Sequence, residues 1–173
     1  LTECQGKKLS IDNEEQNNAV LEELKKNPYI VSSLDEKDRI RKAPAPFTTS
    51  SMQQDAANKI NFSTRKTMMV AQQLYEGIEI KGHGTIGLVS YIRTDSVRIS
   101  DEAKAQAREY ILEKMGEEYY SNNIYKNRKG DVQDAHEAIR PTYIDKDPES
   151  IKQYLSNDEY KLYKLIWSRF IAS

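Results

Sequence analysis

The order of hydrophobic and polar positions divides the chain into a short mixed part and a longer helical part. The mixed part predicts a turn into a short strand at residues 6–11, a helix from Asp12 that ends before Pro28, and a second strand at residues 29–34. The apolar residues expected to face inward from this helix are Val20, Leu21 and Leu24. The N-terminal part is therefore predicted to be a small strand-helix-strand segment.

A proline-rich connector, KAPAPF at residues 42–47, follows this segment. Proline fixes its own backbone angle and restricts the residue before it, so this stretch is expected to be rigid and extended. We place a domain boundary here, giving domains at residues 1–45 and 46–173, and hypothesise that the connector is a hinge.

Beyond the connector the apolar spacing becomes helical. Helices are predicted at residues 48–60, 63–77, 101–116 and 158–173, with caps at Ser100 and Asn157 and a C-terminal stop at Gly77. Residues 78–87 (IEIKGHGTIG) predict a glycine-rich hairpin or loop, and residues 88–94 (LVSYIRT) a strand. The predicted fold is mainly α-helical, with a helix-turn-helix-like core that carries a short strand or hairpin.

Composition limits the possible classes of protein. Charged residues make up 31% of the 173 residues, and no apolar run approaches the roughly 18 residues of a membrane span. The single cysteine excludes an internal disulfide framework and a cysteine zinc site. We therefore expect a cytoplasmic, monomeric protein without membrane contact. Because the chain lacks an initiator methionine and remains helical at its last residue, we also expect it to be a piece of a longer protein.

Charge is unevenly distributed along the chain. Residues 39–98 carry nine basic and four acidic side chains, although the net charge of the whole chain is -1. A locally positive surface on a nearly neutral protein favours a polyanionic partner.

Tyr91 lies in this basic part, two residues before Arg93. In an extended chain both side chains would lie on one face. A guanidinium beside a phenol favours the phenolate, and it can also hold a phosphate under attack. Spacing alone leaves open the alternative of a core tyrosine beside a surface arginine.

A second candidate group is the sequence DAHEAIRPT at residues 134–142. His136 lies in a polar stretch, with Arg140 four residues later, and a histidine there can contact a phosphate or transfer a proton. A purely structural histidine remains the alternative.

Four sequence blocks resemble those of bacterial DNA topoisomerase I, a type IA enzyme, in the order and spacing of that family. The blocks are APFTTSSMQQDAANKINFSTRKTMMVAQQLYEG, GLVSYIRTDSVRIS, AHEAIRPT and YKLYKLIWSRFIAS. The resemblance is strong over residues 43–173 and less specific over residues 1–42. Departures are conservative in size: Ser90 stands where threonine is usual, Ile92 where methionine is usual, and Val97 where a hydroxyl residue is common.

The resemblance implies a mechanism and a set of roles. Tyr91 would attack single-stranded DNA to give a 5′-phosphotyrosine intermediate, and strand passage and religation would then relax negative supercoils. Arg93 would hold the scissile phosphate, and Asp95 would orient Arg93 or its neighbours. His136 would contact the phosphate, and Arg140 would support the DNA site. For Asp95 and Arg140, a structural salt bridge is the alternative.

The resemblance also places residues 1–45 in the arch that links the tyrosine-bearing lid to the rest of the enzyme, and residues 46–173 in that lid. The Mg²⁺ of the family would be bound by a separate N-terminal domain, so the chain alone is expected not to cleave DNA. Its expected partners are negatively supercoiled or single-stranded DNA and the remaining domains of the enzyme. A non-catalytic single-stranded DNA-binding module and a protein-interaction scaffold remain alternatives.

Overall fold

The computed structural model describes most of the chain and divides it into two compact units. The described residues are 3–4, 7–8, 10–31, 33–38, 42–125 and 136–173. The two units comprise residues 1–41 and residues 42–173.

The first unit contains a short hairpin and one helix. Strands β1 (Glu3–Cys4) and β2 (Lys7–Lys8) pair antiparallel, and helix α1 spans Glu14–Lys26. Helix α1 has no buried residue, and Leu21 is 44% exposed. The prediction that its apolar residues face inward is therefore wrong for Leu21. The described part of this unit contains no buried core against which the Leu21 side chain could pack.

Helix α1 begins one residue later than predicted. Asn13, not Asp12, caps it, since the Asn13 side chain accepts a hydrogen bond from the Gln16 backbone N–H at 2.9 Å. The Asp12 backbone N–H donates to Gln16 Oε1 at 3.0 Å. Asp12 and Asn13 are both residues that can cap a helix. Asn13 is the cap because the Gln16 N–H, three residues later, is the one that needs an acceptor.

The second predicted strand, at residues 29–34, is not formed among its described residues. Its large apolar side chains are 78–83% exposed: Tyr29, Ile30, Val31 and Leu34. A β-branched, apolar composition favours a strand only where a partner strand supplies hydrogen bonds and cover. No strand of the described residues pairs with this segment, so the prediction is wrong for this chain.

The second unit contains four helices and a hairpin among its described residues. The helices are α2 (Thr49–Ile60), α3 (Thr64–Glu76), α4 (Asp101–Lys114) and α5 (Asn157–Ile171). Strands β3 (Ile78–Ile80) and β4 (Gly84–Ile86) form the antiparallel hairpin. Short 3-10 turns span Glu117–Tyr119 and Lys152–Tyr154. The prediction of a mainly α-helical fold with a short hairpin is confirmed.

Local capping explains where these helices begin and end. Ser100 caps α4 as predicted, and Gly77 ends α3 with a φ of +131°, a backbone conformation that favours glycine. Helix α5 is capped by Ser156 rather than by the predicted Asn157. The Ser156 hydroxyl accepts from the Glu159 N–H, and the Glu159 carboxylate accepts from the Ser156 N–H. This reciprocal capping box satisfies two backbone donors that Asn157 alone would leave open.

The core of the second unit lies where α2, α3 and α5 pack together. Its largest fully buried side chains include Tyr163, Phe47, Met52, Leu74 and Leu88. The Tyr163 hydroxyl donates to the Lys146 carbonyl at 2.7 Å, so the buried polar atom has a partner. A smaller cluster of Ala103, Ile144 and Phe170 packs beside α4.

The connector is fixed to the second unit at several points. The Tyr125 hydroxyl donates to the Ala43 carbonyl at 3.2 Å, and Arg169 donates to the Ala45 carbonyl at 3.2 Å. The Arg169 guanidinium also lies 4.4 Å from the centre of the Phe47 ring, which is fully buried. These contacts hold residues 43–47 against the second unit, and the hypothesis that the connector is a hinge stays a prediction.

Candidate active site

Residues 91–96 (YIRTDS) alternate between the surface and the core. Ile92, Thr94 and Ser96 are buried, at 1%, 7% and 0% exposure. The exposed residues between them are Tyr91, Arg93 and Asp95. The predicted strand over residues 88–94 reduces to a single bridge between Val89 and Pro141. All three of these side chains are exposed, but the backbone bends at Ile92 and Arg93, so the expectation that they share one face stays a prediction.

The first residue of α2 takes the place of a partner strand. The Thr49 N–H donates to the Thr94 carbonyl at 2.9 Å, and the Thr49 hydroxyl lies 2.8 Å from the Ile92 carbonyl. The same hydroxyl accepts from the Thr94 N–H at 2.9 Å. One threonine therefore satisfies the backbone of this segment where ladder hydrogen bonds are missing.

Ser90 joins the Tyr91 segment to the segment that contains His136. The Ser90 hydroxyl donates to the Ala138 carbonyl at 2.8 Å and accepts from the Arg140 N–H at 3.0 Å. The Ser90 N–H donates to the Arg140 carbonyl at 2.9 Å. Two stretches about 50 residues apart in sequence are thus held side by side.

The Tyr91 ring packs against two other rings. Its centroid is 5.8 Å from that of Tyr75 in an edge-to-face arrangement, and 5.6 Å from that of His136. Such pairs are attractive beyond their buried area. Tyr91 is 44% exposed, so the site keeps its hydroxyl-bearing side chain accessible while neighbouring rings limit its orientation.

Gly87 allows the end of α3 to approach the Tyr91 segment. A Cβ at Gly87 would lie 2.6 Å from the Tyr75 carbonyl oxygen, which is too close for any side chain. The next residue, Leu88, donates its N–H to the Leu74 carbonyl at 2.8 Å. The position of Tyr75 against Tyr91 therefore depends on a glycine four residues before the tyrosine.

Arg140 and Glu137 form a half-buried ion pair beside the site. The closest approach, Arg140 Nη2 to Glu137 Oε2, is 2.8 Å, and Glu137 Oε1 accepts from the Ser100 N–H at 2.5 Å. Burial raises the pKa of Glu137, but hydrogen bonds from Ser100 and Arg140 and the Arg140 charge outweigh it and hold the pKa below its ordinary value. Arg140 Nη1 donates to the Pro141 carbonyl at 3.1 Å. The side-chain contacts of Arg140 thus tie its own segment together, whereas its backbone bonds to Ser90.

The five predicted site residues are brought together only in part. Tyr91 and His136 are neighbours, and Arg93 and Asp95 are exposed two and four residues after Tyr91. Within the described residues, Arg93 and Asp95 form no ion pair with each other. Arg140 is engaged with Glu137.

A family model described as DNA topoisomerase matches residues 2–173, nearly the whole chain. The chain belongs to the type IA DNA topoisomerase family. It is also similar to the solved structure of full-length topoisomerase I from Thermotoga maritima, with 50% identity and a TM-score of 0.65. That match covers 75% of this chain and 20% of the Thermotoga protein.

The described part of this topoisomerase family member offers no metal site. No group of three histidine, cysteine or acidic side chains within it is placed to hold a metal ion. None of the described helices is long and apolar enough to cross a membrane.

Four residues that support the site were not predicted from the sequence: Thr49, Tyr75, Gly87 and Ser90. Each acts through a partner distant in sequence, or through the close approach of two backbones. In the sequence itself, the only signals of these supporting roles were the hydroxyl of Ser90 next to Tyr91 and the position of Gly87 before an apolar run.

Proposed function

We propose that Tyr91 is the nucleophile of a type IA topoisomerase reaction on single-stranded DNA. The Tyr91 oxygen forms a bond to the scissile phosphorus, and the bond from phosphorus to the 3′-oxygen breaks. The phenolic proton leaves Tyr91, and the departing 3′-oxygen gains a proton to become a hydroxyl. The observation that carries this proposal is an accessible tyrosine fixed beside a histidine by hydrogen bonds between two motif blocks.

Exposed groups on the same surface supply the remaining roles. Arg93 binds the non-bridging oxygens of the scissile phosphate, since a guanidinium matches two of them at once and stabilises the charge that develops there. His136 contacts the phosphate from the other side of the Tyr91 ring. Asp95 orients the Arg93 side chain once DNA is bound, and Arg140 supports the segment that carries His136.

Religation reverses these steps. The 3′-hydroxyl attacks the phosphotyrosine bond, and the Tyr91 oxygen leaves and regains its proton. Because the bond energy is kept in the phosphotyrosine link, strand passage between the two steps relaxes negative supercoils without ATP.

We place Mg²⁺ outside this chain and propose that the chain alone does not cleave DNA. The support is that the described residues offer no three-ligand metal site. The chain also spans one fifth of the Thermotoga protein that it resembles, which leaves room for a metal-bearing part elsewhere. A covalent adduct between these 173 residues alone and single-stranded DNA in Mg²⁺ would overturn this part of the proposal.

The test of the nucleophile uses the full-length natural protein that contains these residues, with an oligonucleotide labelled at either end. After denaturation in the presence of Mg²⁺, a 5′-phosphotyrosine link retains the 3′-labelled segment on the protein and releases the 5′-labelled segment with a free 3′-hydroxyl. Tyr91→Phe should abolish the adduct and relaxation while leaving non-covalent binding nearly unchanged. Tyr75→Phe, which keeps the neighbouring ring, is the matched control and should still form the adduct. An adduct formed by Tyr91→Phe would refute the assignment.

A binding module without chemistry is the second candidate, and one observation favours it for the isolated chain. Arg65, Arg93, Arg98 and Arg108 lie exposed without a carboxylate in ion-pair distance among the described residues. Unpaired arginines suit phosphate contacts. Salt-dependent binding of single-stranded DNA by the 173 residues without an adduct would support this behaviour, whereas no binding at low salt would favour a scaffold.

A further inference from the structure

A second concave site lies beyond the end of the Tyr91 segment. A cavity of about 120 Å³ is bounded by α4, by the C-terminal end of α5 and by residues 120–125. Its apolar lining includes Ile99, Ala107, Ile111 and Phe170. An apolar cavity of ~150 Å³ holds one benzene-sized ring, so this somewhat smaller cavity, which is open at its mouth, admits one planar ring at most.

The charged side chains that line the cavity are all cationic. Arg98, Lys104 and Arg108 line it, and none of its described lining residues is acidic. The Arg108 guanidinium lies 5.6 Å from the centre of the Tyr120 ring, which also lines the cavity. Apolar walls, an aromatic ring and several cations together fit a nucleotide, with its base inside and its phosphate at the mouth.

The arginines at the cavity differ from the two that stabilise the fold. Arg140 and Arg169 are largely buried and paired with Glu137 and Asp55. In contrast, Arg98 and Arg108 are exposed, and no carboxylate of the described residues lies in ion-pair distance of either. Lys104 has only a solvated contact with Asp101, at 3.3 Å. An unpaired guanidinium is available to a ligand phosphate at little cost.

The cavity adjoins the chain segment that begins at Tyr91, because Arg98 at the end of that segment lines it. Arg98 ends the run that begins at Tyr91, and its carbonyl accepts from the Ala138 N–H at 2.8 Å, in the same block as His136. Seven residues span at most about 23 Å, which corresponds to about seven nucleotides at stacked spacing. A strand with its phosphate at Tyr91 can therefore also reach this cavity.

We propose that this cavity is a base-binding subsite for the same single strand that Tyr91 attacks. One base enters among Ala107, Ile111 and Phe170, and the adjoining phosphates contact Arg98 and Arg108. The side chains of Asn122 and Asn123 also line the cavity and can donate to and accept from the edge of that base. This inference rests on the proposed function of Tyr91, and it adds a position at which the identity or presence of a base matters.

The test combines an abasic scan with a cavity-filling substitution in the full-length natural protein. Oligonucleotides lacking one base at each of the seven positions on either side of the cleavage site are bound to the Tyr91→Phe protein. One position should weaken binding about tenfold, within the range for loss of a single stacked base. In the background of Ala107→Leu, which fills the cavity, the intact strand should bind as weakly as that abasic strand, and removal of the same base should cause no further loss.

Arg98→Ala and Arg108→Ala give an independent measurement that does not depend on filling the cavity. Each should reduce the slope of log binding constant against log salt concentration by about 0.7, the value for one phosphate contact on a single strand. The matched control is Lys161→Ala, which removes an exposed cation without an ion pair on α5, outside the cavity lining. It should leave the slope unchanged. Far-ultraviolet circular dichroism confirms that each variant is folded.

Two outcomes would overturn the proposal: no position sensitive to base removal, or the same sensitivity after Ala107→Leu. If Ala107→Leu does not fold, an unchanged salt dependence of binding in both Arg98→Ala and Arg108→Ala would overturn the proposal instead. Adduct formation by the unmodified protein on the same strands distinguishes failure of the base-binding subsite from failure of the proposed function of Tyr91. An adduct that depends on Tyr91 without coupling to the cavity refutes only the subsite, whereas an adduct that forms without Tyr91 refutes the proposed function.

Discussion

Removal of the Ser90 hydroxyl should destabilise the second unit, because that one atom serves two backbone groups. Ser90→Ala takes a donor from the Ala138 carbonyl, at 2.8 Å, and an acceptor from the Arg140 N–H, at 3.0 Å. Ala138 is fully buried, so water does not easily replace the lost partner. At about 1 kcal/mol for each hydrogen bond, the free energy of unfolding should fall by about 2 kcal/mol.

The assay is urea denaturation followed by the fluorescence of Trp167, the only tryptophan of the chain. Trp167 packs against the core of the second unit and donates to the Ile144 carbonyl at 3.3 Å, so its emission reports unfolding of that unit. With a urea dependence of roughly 2 kcal/mol per molar, Ser90→Ala should lower the midpoint by about 1 M.

Two control variants separate the hydroxyl from the general effect of substitution at this site. Ser90→Thr keeps the hydroxyl and should stay close to the unmodified chain. Ser168→Ala removes an exposed hydroxyl on α5 for which the structure shows no hydrogen bond, and its midpoint should not fall. If Ser90→Ala and Ser168→Ala have the same midpoint, the two hydrogen bonds do not hold the segments together and the reasoning is wrong.

Three further substitutions test other contacts of the site. Gly87→Ala places a Cβ 2.6 Å from the Tyr75 carbonyl oxygen, so the same urea assay should show a loss of about 1–3 kcal/mol; a stability equal to that of the unmodified chain would exclude the close approach. Glu137→Gln should cost about 2 kcal/mol near neutral pH. Since the folded-state pKa of Glu137 lies below its ordinary value, this stabilisation is present above the unfolded pKa and is lost as pH falls through the folded pKa. Urea midpoints of the two proteins should therefore converge in acid, and a difference independent of pH would contradict the charge-based explanation. Arg93→Lys keeps the charge but loses the planar fork, so adduct formation by the full-length protein should fall about 10- to 100-fold with no change in urea midpoint. Full adduct formation in that variant would exclude a bidentate contact.

Local signals in the sequence were sufficient for the helices of the second unit. Ser100 and Gly77 cap their helices as predicted, and both predictions rest on residues within one turn of the cap. Errors at the other caps amount to one residue, at Asp12 and Asn157, each beside a better-placed polar neighbour. Cap chemistry is decided within four residues, so it can be predicted without the rest of the fold.

Predictions failed where the outcome depends on a distant partner. The β-branched segment at residues 29–34 has strand composition, yet the described part of the chain supplies no partner strand. The contacts that fix the connector could not be predicted for the same reason, because Tyr125 and Arg169 lie 82 and 124 residues from the carbonyls that they hold. No local pattern encodes these partners.

The site around Tyr91 combines both cases. The same-face arrangement of Tyr91, Arg93 and Asp95 was predicted from a strand that is not formed, and it stays a prediction, although all three side chains are exposed. Burial of Ile92, Thr94 and Ser96 fixes which residues of the segment are exposed, and Thr49 supplies hydrogen bonds that a neighbouring strand would have made. No strand of the described residues covers the exposed side of this segment, as the proposed role of Tyr91 requires. The apolar and hydroxyl residues between Tyr91, Arg93 and Asp95 therefore decide the geometry of the site, although none of them has a proposed part in the chemistry.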